Sequence, residues 1–344
     1  MVDIQQLIRP SVRNLKPYSS ARDEFKGSAS VWLDANENPN NTGLNRYPDP
    51  LQWKLKTRIS EIKKVPKENI FLGNGSDEAI DLLFRAFCEP GRDKALICSP
   101  TYGMYQVSAD INNVEVIDVP LTADWQLDIP EIKSAINDSN PKLIFICSPN
   151  NPTGNSMNRN DVLEIASKFN GLVVIDEAYI DFSAEESFSS KLETNNNLVI
   201  LQTLSKAWGL AGIRLGMAFA HTEIIDVLNR IKPPYNVNQL TQETALKKLV
   251  ELDTFQAEMK MILSERKRLE VELNLLSNVV AVYPSDANFL MVKFTQPKSV
   301  YDALTEQEIV VRDRSKVAEG CLRITVGTPE ENTQLLQELK KIES

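Results

Sequence analysis

Short apolar runs at residues 94–98, 114–119, 143–147, 172–176, 198–203 and 215–220 alternate with segments whose apolar residues recur at helical spacing. Runs of this length and continuity suit strands buried on both faces, and their alternation with helices predicts a parallel sheet covered on both sides. After Pro233-Pro234, helical patterns cover 238–253 and 255–277. Strand patterns follow at 280–284, 288–294, 308–312 and 321–326, with helical stretches between and after them. This second part predicts a smaller α+β domain, joined by the N-terminal segment. Residues 183–197 read as a polar connection, and there is no internal repeat or low-complexity tract.

Composition narrows the field without naming a function. The chain has 344 residues, 42% hydrophobic and 25% charged, enough for two packed domains of a soluble protein. Its net charge of −9 argues against a general nucleic-acid surface. No apolar run reaches the length of a membrane span, and the polar start lacks a signal-peptide core, so a cytoplasmic protein is expected. Cys88, Cys98, Cys147 and Cys321 show no metal-ligand spacing and are expected as buried thiols, with no metal site. The single histidine, His221, stands at a strand-to-helix turn and reads as structural, which leaves no Ser-His-Asp or Cys-His apparatus.

The candidate chemistry collects at strand ends. Asp176 closes the run Leu172-Val173-Val174-Ile175, and Tyr179 follows it. Thirty residues further on, Lys206 lies in the apolar, glycine-rich segment that runs to Arg214 and Gly216. A desolvated lysine beside a cation loses proton affinity and becomes a nucleophile toward an aldehyde. A buried carboxylate such as Asp176 can keep a heterocyclic nitrogen protonated, and Tyr179 can donate to a ring oxygen. A lysine, a carboxylate and a phenol so arranged are what pyridoxal 5′-phosphate chemistry requires. Glu177, between Asp176 and Tyr179, is expected to point elsewhere.

A phosphate cradle completes this reading. Gly73-Asn74-Gly75-Ser76-Asp77-Glu78 leads into a helical pattern over 79–87, so the Ser76 and Asp77 amides and the positive end of the helix can face an anion. Thr203, Ser205 and Arg214 would add hydroxyls and a guanidinium. Taken singly, each element has a plainer meaning: Lys206 as a surface lysine, Asp176 and Tyr179 as turn residues, Ser76 and Asp77 as a helix cap. Their occurrence together, in this order, favours the cofactor site.

These segments, with Ser148-Pro149-Asn150-Asn151-Pro152-Thr153-Gly154, resemble the active-site motifs of the fold-type-I aminotransferases. The resemblance covers the chain from about residue 9 to its end. It implies a large cofactor-binding domain at 36–235 with a mostly parallel seven-stranded sheet between helices. It further implies a small α+β domain at 236–344 and an N-terminal segment at 1–35 packing with that small domain. By the same resemblance, Asn151 bonds the cofactor's ring oxygen before a cis peptide to Pro152, and Tyr102 stacks on the pyridine ring. Tyr47 reaches the cofactor phosphate of a neighbouring subunit, which implies a homodimer. Arg323, helped by Arg312, Tyr18 and Asn151, holds the substrate's anionic group. Arg314 reads instead as a solvated residue.

Within the family, the stretches 12–18, 33–39, 46–50 and 321–327 most resemble the branch that acts on histidinol phosphate in histidine biosynthesis. That branch implies ping-pong transfer of the amino group to 2-oxoglutarate, giving glutamate. A threonine-phosphate decarboxylase and an aromatic amino-acid aminotransferase are the neighbouring alternatives. A cofactor-binding regulator without turnover is a third, although no DNA-binding helix pair or basic segment accompanies the motifs.

Overall fold

The computed structural model describes every residue of the chain except 17, 19–24, 26, 28 and 344. Seven strands form the larger sheet: β1 (Ile70–Asn74), β2 (Lys94–Ile97), β3 (Glu115–Asp118), β4 (Leu143–Cys147), β5 (Leu172–Asp176), β6 (Leu198–Thr203) and β7 (Leu215–Ala220). Their order is β1-β7-β6-β5-β4-β2-β3. Strands β2 to β6 pair in parallel, while β7 runs antiparallel to both β6 and β1. The fold is therefore the α/β arrangement with a mostly parallel sheet that the apolar runs predict.

Burial on both faces explains the unbroken apolar runs. In β4, Ile144 and Ile146 join the core on one face, while Leu143 and Phe145 join the core on the other. All four are almost entirely buried, and each such side chain stabilises the fold by about 1.5–3 kcal/mol relative to exposure. Helices Gly75–Phe87, Met104–Ile111 and Thr222–Ile231 cover one face. Helices Trp53–Lys63, Ile129–Ser139 and Arg159–Lys168 cover the other.

Four antiparallel strands, β8 (Val279–Val282), β9 (Phe289–Phe294), β10 (Arg312–Asp313) and β11 (Cys321–Thr325), form the second sheet in the order β10-β11-β9-β8. Helices Leu252–Leu273, Pro297–Glu306 and Pro329–Glu343 lie against it over a core that includes Leu269, Leu290, Val292 and Leu336.

Three expectations are corrected. Strand β1 does not appear among the apolar runs read from the sequence, because it is short and ends in Gly73-Asn74, which merge into the helix entry. The strand expected at 308–312 contracts to Arg312–Asp313, since Glu308 adopts a left-handed φ of 60° that an extended strand does not tolerate. The opening of the N-terminal segment does not pack with the small sheet. Ile4, Ile8 and Val12 form a one-sided apolar stripe buried in the core of the larger sheet. The Arg9 amide donates to the Ala86 carbonyl at 2.9 Å, fastening the stripe beside helix Gly75–Phe87.

Candidate active site

A cavity of about 390 Å³ opens where the carboxyl ends of β4, β5 and β6 face the β10–β11 hairpin of the smaller sheet. Its lining includes Ser76, Asp77, Tyr102, Asn151, Asp176, Tyr179, Thr203, Ser205, Lys206, Arg214, Arg312 and Arg323, all named from the sequence. Carboxyl ends of parallel strands are where open α/β sheets leave such crevices, because the connecting loops diverge there.

Asp176 is the most constrained of these groups. Its Oδ2 accepts from the Tyr105 hydroxyl at 2.8 Å and its Oδ1 from the Ala178 amide at 3.0 Å. Burial pushes its carboxyl up to about 6, against the opposing pull of those two donors and of Lys206. Lys206 reaches solvent through the cavity, yet the protein around its head group still desolvates it. That desolvation, joined by the charges of Arg323 and Arg214 and opposed by Asp176, holds its amine below the usual lysine range. Its Nζ lies 5.4 Å from the centre of the Tyr179 ring. The Tyr179 hydroxyl accepts from Asn151 Nδ2 at 3.3 Å, and Asn151 Oδ1 in turn accepts from Arg323 Nη1. The Asn151–Pro152 peptide is cis, as the motif predicts.

The anion cradle is equally local. Helix Gly75–Phe87 begins without a side-chain cap, and its first-turn residues Ser76 and Asp77 line the cavity, which leaves the positive end of the helix available to an anion there. Gly75 adopts a left-handed φ of 71° that a side chain would strain, and a Cβ there would also displace the Arg214 guanidinium, whose Nη2 lies 2.7 Å away. Gly216 is required, since the Ser76 nitrogen lies 2.0 Å from where its Cβ would be. Arg214 Nη2 stands 3.5 Å from Asp77 Oδ2, and the Tyr102 hydroxyl donates to Asp77 Oδ1 at 3.1 Å. The Thr203 hydroxyl donates to Ser205 Oγ at 3.0 Å.

Tyr18, expected at the substrate, lies elsewhere, whereas Tyr47 is expected to serve a neighbouring subunit. Tyr18 is 73% exposed and does not line the cavity. Tyr47 is also outside it, stacked on Tyr235 with ring centres 4.4 Å apart. Conversely, Arg314, read from the sequence as solvated, lines the cavity with its Nε buried and unpartnered. Tyr105 and Cys147 were not singled out either. Tyr105 stands in the first turn of helix Met104–Ile111, three residues after Tyr102, whereas Cys147 is met only through its pairing with Asp176 across β4 and β5. Glu177 points away, as expected. It accepts from Ser187 Oγ, the Phe188 amide and Gln202 Nε2, and burial pushes it up to about 7. Trp208 is buried and stacks on Phe255 at 4.0 Å, tying the Lys206 loop to helix Leu252–Leu273.

The family model for aminotransferase class I and II matches residues 20–339. The chain belongs to that aminotransferase family. This aminotransferase is 57% identical, over 99% of both chains, to the histidinol-phosphate aminotransferase of Parabacteroides distasonis. It is 52% identical, over 98% of both chains, to that of Cytophaga hutchinsonii. Among solved structures, the histidinol-phosphate aminotransferase from Clostridium acetobutylicum superposes with a TM-score of 0.81 at 27% identity, covering 88% of this chain and 91% of that one. The Sinorhizobium meliloti histidinol-phosphate aminotransferase, solved with pyridoxal-5′-phosphate, shares the fold at a TM-score of 0.80 and 22% identity, covering 88% of this chain and 83% of that one. Within the family, the chain groups with the histidinol-phosphate aminotransferases.

The residues of this aminotransferase fit pyridoxal 5′-phosphate. The uncapped helix start, Arg214 and two hydroxyls suit its phosphate, Asp176 suits its ring nitrogen, Asn151 and Tyr179 suit its ring oxygen, and Lys206 suits its aldehyde.

Proposed function

We propose that this protein is a pyridoxal 5′-phosphate-dependent aminotransferase that moves the amino group of L-histidinol phosphate to 2-oxoglutarate. The observation that carries this reading is a single cavity with an amine-bearing, acid-backed wall on one side and three arginines on the other. The first wall suits the chemistry of an amine. The second suits a substrate with a strongly anionic end, and histidinol phosphate has one.

Bound in this cavity, the cofactor supplies an aldehyde that takes up the amino group and a ring that draws electrons from the neighbouring carbon. Lys206 Nζ, with its lowered proton affinity, is the base that removes the proton from the substrate carbon bearing the amine and later returns it. Asp176 holds the ring nitrogen's proton, and its two donors keep the carboxylate oriented. Asn151 links the Tyr179 hydroxyl to Arg323, so the ring-oxygen side and the anion side share one chain of hydrogen bonds. Arg323, with Arg312, holds the phosphate in the first half-reaction and a carboxylate of glutamate in the second.

A second copy of the chain completes the site through Tyr47. In support, Tyr47 is half exposed, lies outside its own chain's cavity and borders a separate cavity of about 530 Å³ with exposed Leu44 and Leu240. A cytoplasmic setting accords with four buried, unpaired cysteines, and among the described residues no helix is long and apolar enough to cross a membrane.

The test mixes cofactor-loaded protein with histidinol phosphate and no keto acid. Bleaching of the cofactor's visible band, its restoration by 2-oxoglutarate and no release of carbon dioxide are expected. Carbon dioxide release would identify a decarboxylase, and an unchanged band would refute histidinol phosphate as substrate.

A further inference from the structure

The β10–β11 hairpin concentrates charge in an unusual way. Arg312 pairs directly with Arg323 across the two strands, and the Arg314 amide continues the ladder by donating to the Cys321 carbonyl at 3.0 Å. Side chains two apart on a strand share a face, so Arg312, Arg314 and Arg323 project together while Asp313 turns to the opposite side. There the Asp313 carboxylate accepts from the Ser315 amide at 2.8 Å. All three arginines line the cavity. Among the described residues none of the three has an ion-pair partner. The acids that line the same cavity are engaged elsewhere: Asp77 with Tyr102 and Arg214, Asp176 with Tyr105 and the Ala178 amide.

The three guanidiniums are not equivalent. Arg323 already donates to Asn151 and lies over the Phe289 ring at 5.1 Å. Arg312 is the most open to solvent. Arg314 is half-buried, its Nε has no partner, and burial together with the charges of Arg323 and Arg312 holds its guanidinium below the usual arginine range. Like charges crowded without a counter-ion destabilise the free site, and that cost is offset only when an anion arrives. A carboxylate brings one negative charge, whereas a phosphate monoester brings about 1.5 to 2 near neutral pH. Two arginines suffice for the first; the third is matched to the second.

We propose that Arg314 is the residue that sets the preference of this site for a dianionic phosphoryl group over a carboxylate. The proposal deepens the function given above and rests on it for the identity of the phosphorylated substrate.

The experiment compares Arg314→Gln and Arg314→Lys with the wild-type holoenzyme. In single half-reactions with histidinol phosphate, Arg314→Gln is expected to lose about 10- to 100-fold in kcat/KM, chiefly through KM, from the loss of one charge-assisted contact. With glutamate the loss should stay under about threefold. Arg314→Lys should fall between, keeping the charge without the fork. In the wild type, the ratio of the two specificity constants should rise as pH rises through about 6, where the phosphate takes its second charge, and flatten in Arg314→Gln. Equal losses for both substrates, or an unchanged ratio, overturn the proposal. Inorganic phosphate binding to holoenzyme, read by calorimetry, separates the two levels. If wild type ignores histidinol phosphate, the substrate reading fails, and weaker phosphate binding by Arg314→Gln still upholds the residue's role. Equal phosphate binding by both proteins overturns it.

Discussion

The two walls of the cavity are built on opposite terms. At the strand ends of the larger sheet, Asp176 is buried and both of its oxygens are engaged by Tyr105 and the Ala178 amide. Tyr179 and Asn151 likewise hold each other. On the hairpin of the smaller sheet, three arginines face the same space, and among the described residues they have no counter-ion and the buried Nε atoms of Arg314 and Arg323 have no partner. A wall whose groups are already oriented suits a resident cofactor that must be held in one pose. A wall of uncompensated charge suits two successive substrates with different anionic ends, each of which supplies the missing charge as it arrives.

The largest effect expected on this contrast comes from removing the amine of the first wall. Lys206→Ala should lower kcat by about 10³-fold or more, the scale of a lost catalytic base and anchor, in single-turnover assays with either substrate. A loss confined to one substrate would break the division between the walls.

Asp176→Asn should cost about 100-fold with glutamate as donor at pH 8, because the neutral amide no longer stabilises a protonated ring nitrogen. The pH profile sharpens the point. Burial raises Asp176 to about 6, and a protonated ring nitrogen beside it pulls that value down, so the acid limb of wild-type kcat/KM should lie below about 6 and be missing in the asparagine variant.

Tyr105→Phe is the milder change, about tenfold. The tyrosine hydroxyl favours the ionised form of Asp176, so its loss should move the acid limb to higher pH. An acid limb that stays in place would show that Tyr105 only fills space.

The smallest effect concerns stability alone. Glu177 backs the first wall, and burial raises it from 4.5 to about 7. The folded state therefore binds its proton more tightly than the unfolded state, and this group's contribution to stability is complete below about 4.5 and lost as pH rises to about 7. The melting temperature of the wild type should therefore drop relative to that of Glu177→Gln, whose amide does not titrate, between pH 5 and pH 8. An equal difference between the two proteins at both pH values would exclude Glu177 as the titrating group.

Much of this site is legible along the chain because its groups sit at predictable ends of local elements. An apolar run that stops at Asp176 marks a strand end, and a glycine followed by Ser76-Asp77 marks a helix entry. Lys206 and Arg214 fall in the one connection between β6 and β7. Tyr18 shows the limit of that approach: a motif placed it at the substrate, but it stands exposed outside the cavity. Arg314 shows the converse. In sequence it belongs to a charged run that looks solvated, and only its pairing with Cys321 across the hairpin turns it inward with Arg323.

By itself the sequence determined six of the seven strands of the larger sheet, the mostly parallel α/β fold and most of the residues that line the cavity, since periodicity, caps and glycines act over a few residues. Tertiary structure alone decided that the N-terminal stripe lies on the larger sheet, that Tyr105 reaches Asp176 across 71 residues and that Arg323 reaches Asn151 across 172. Such contacts depend on how separate layers pack and on which buried polar groups need partners there, and no local pattern in the chain encodes either.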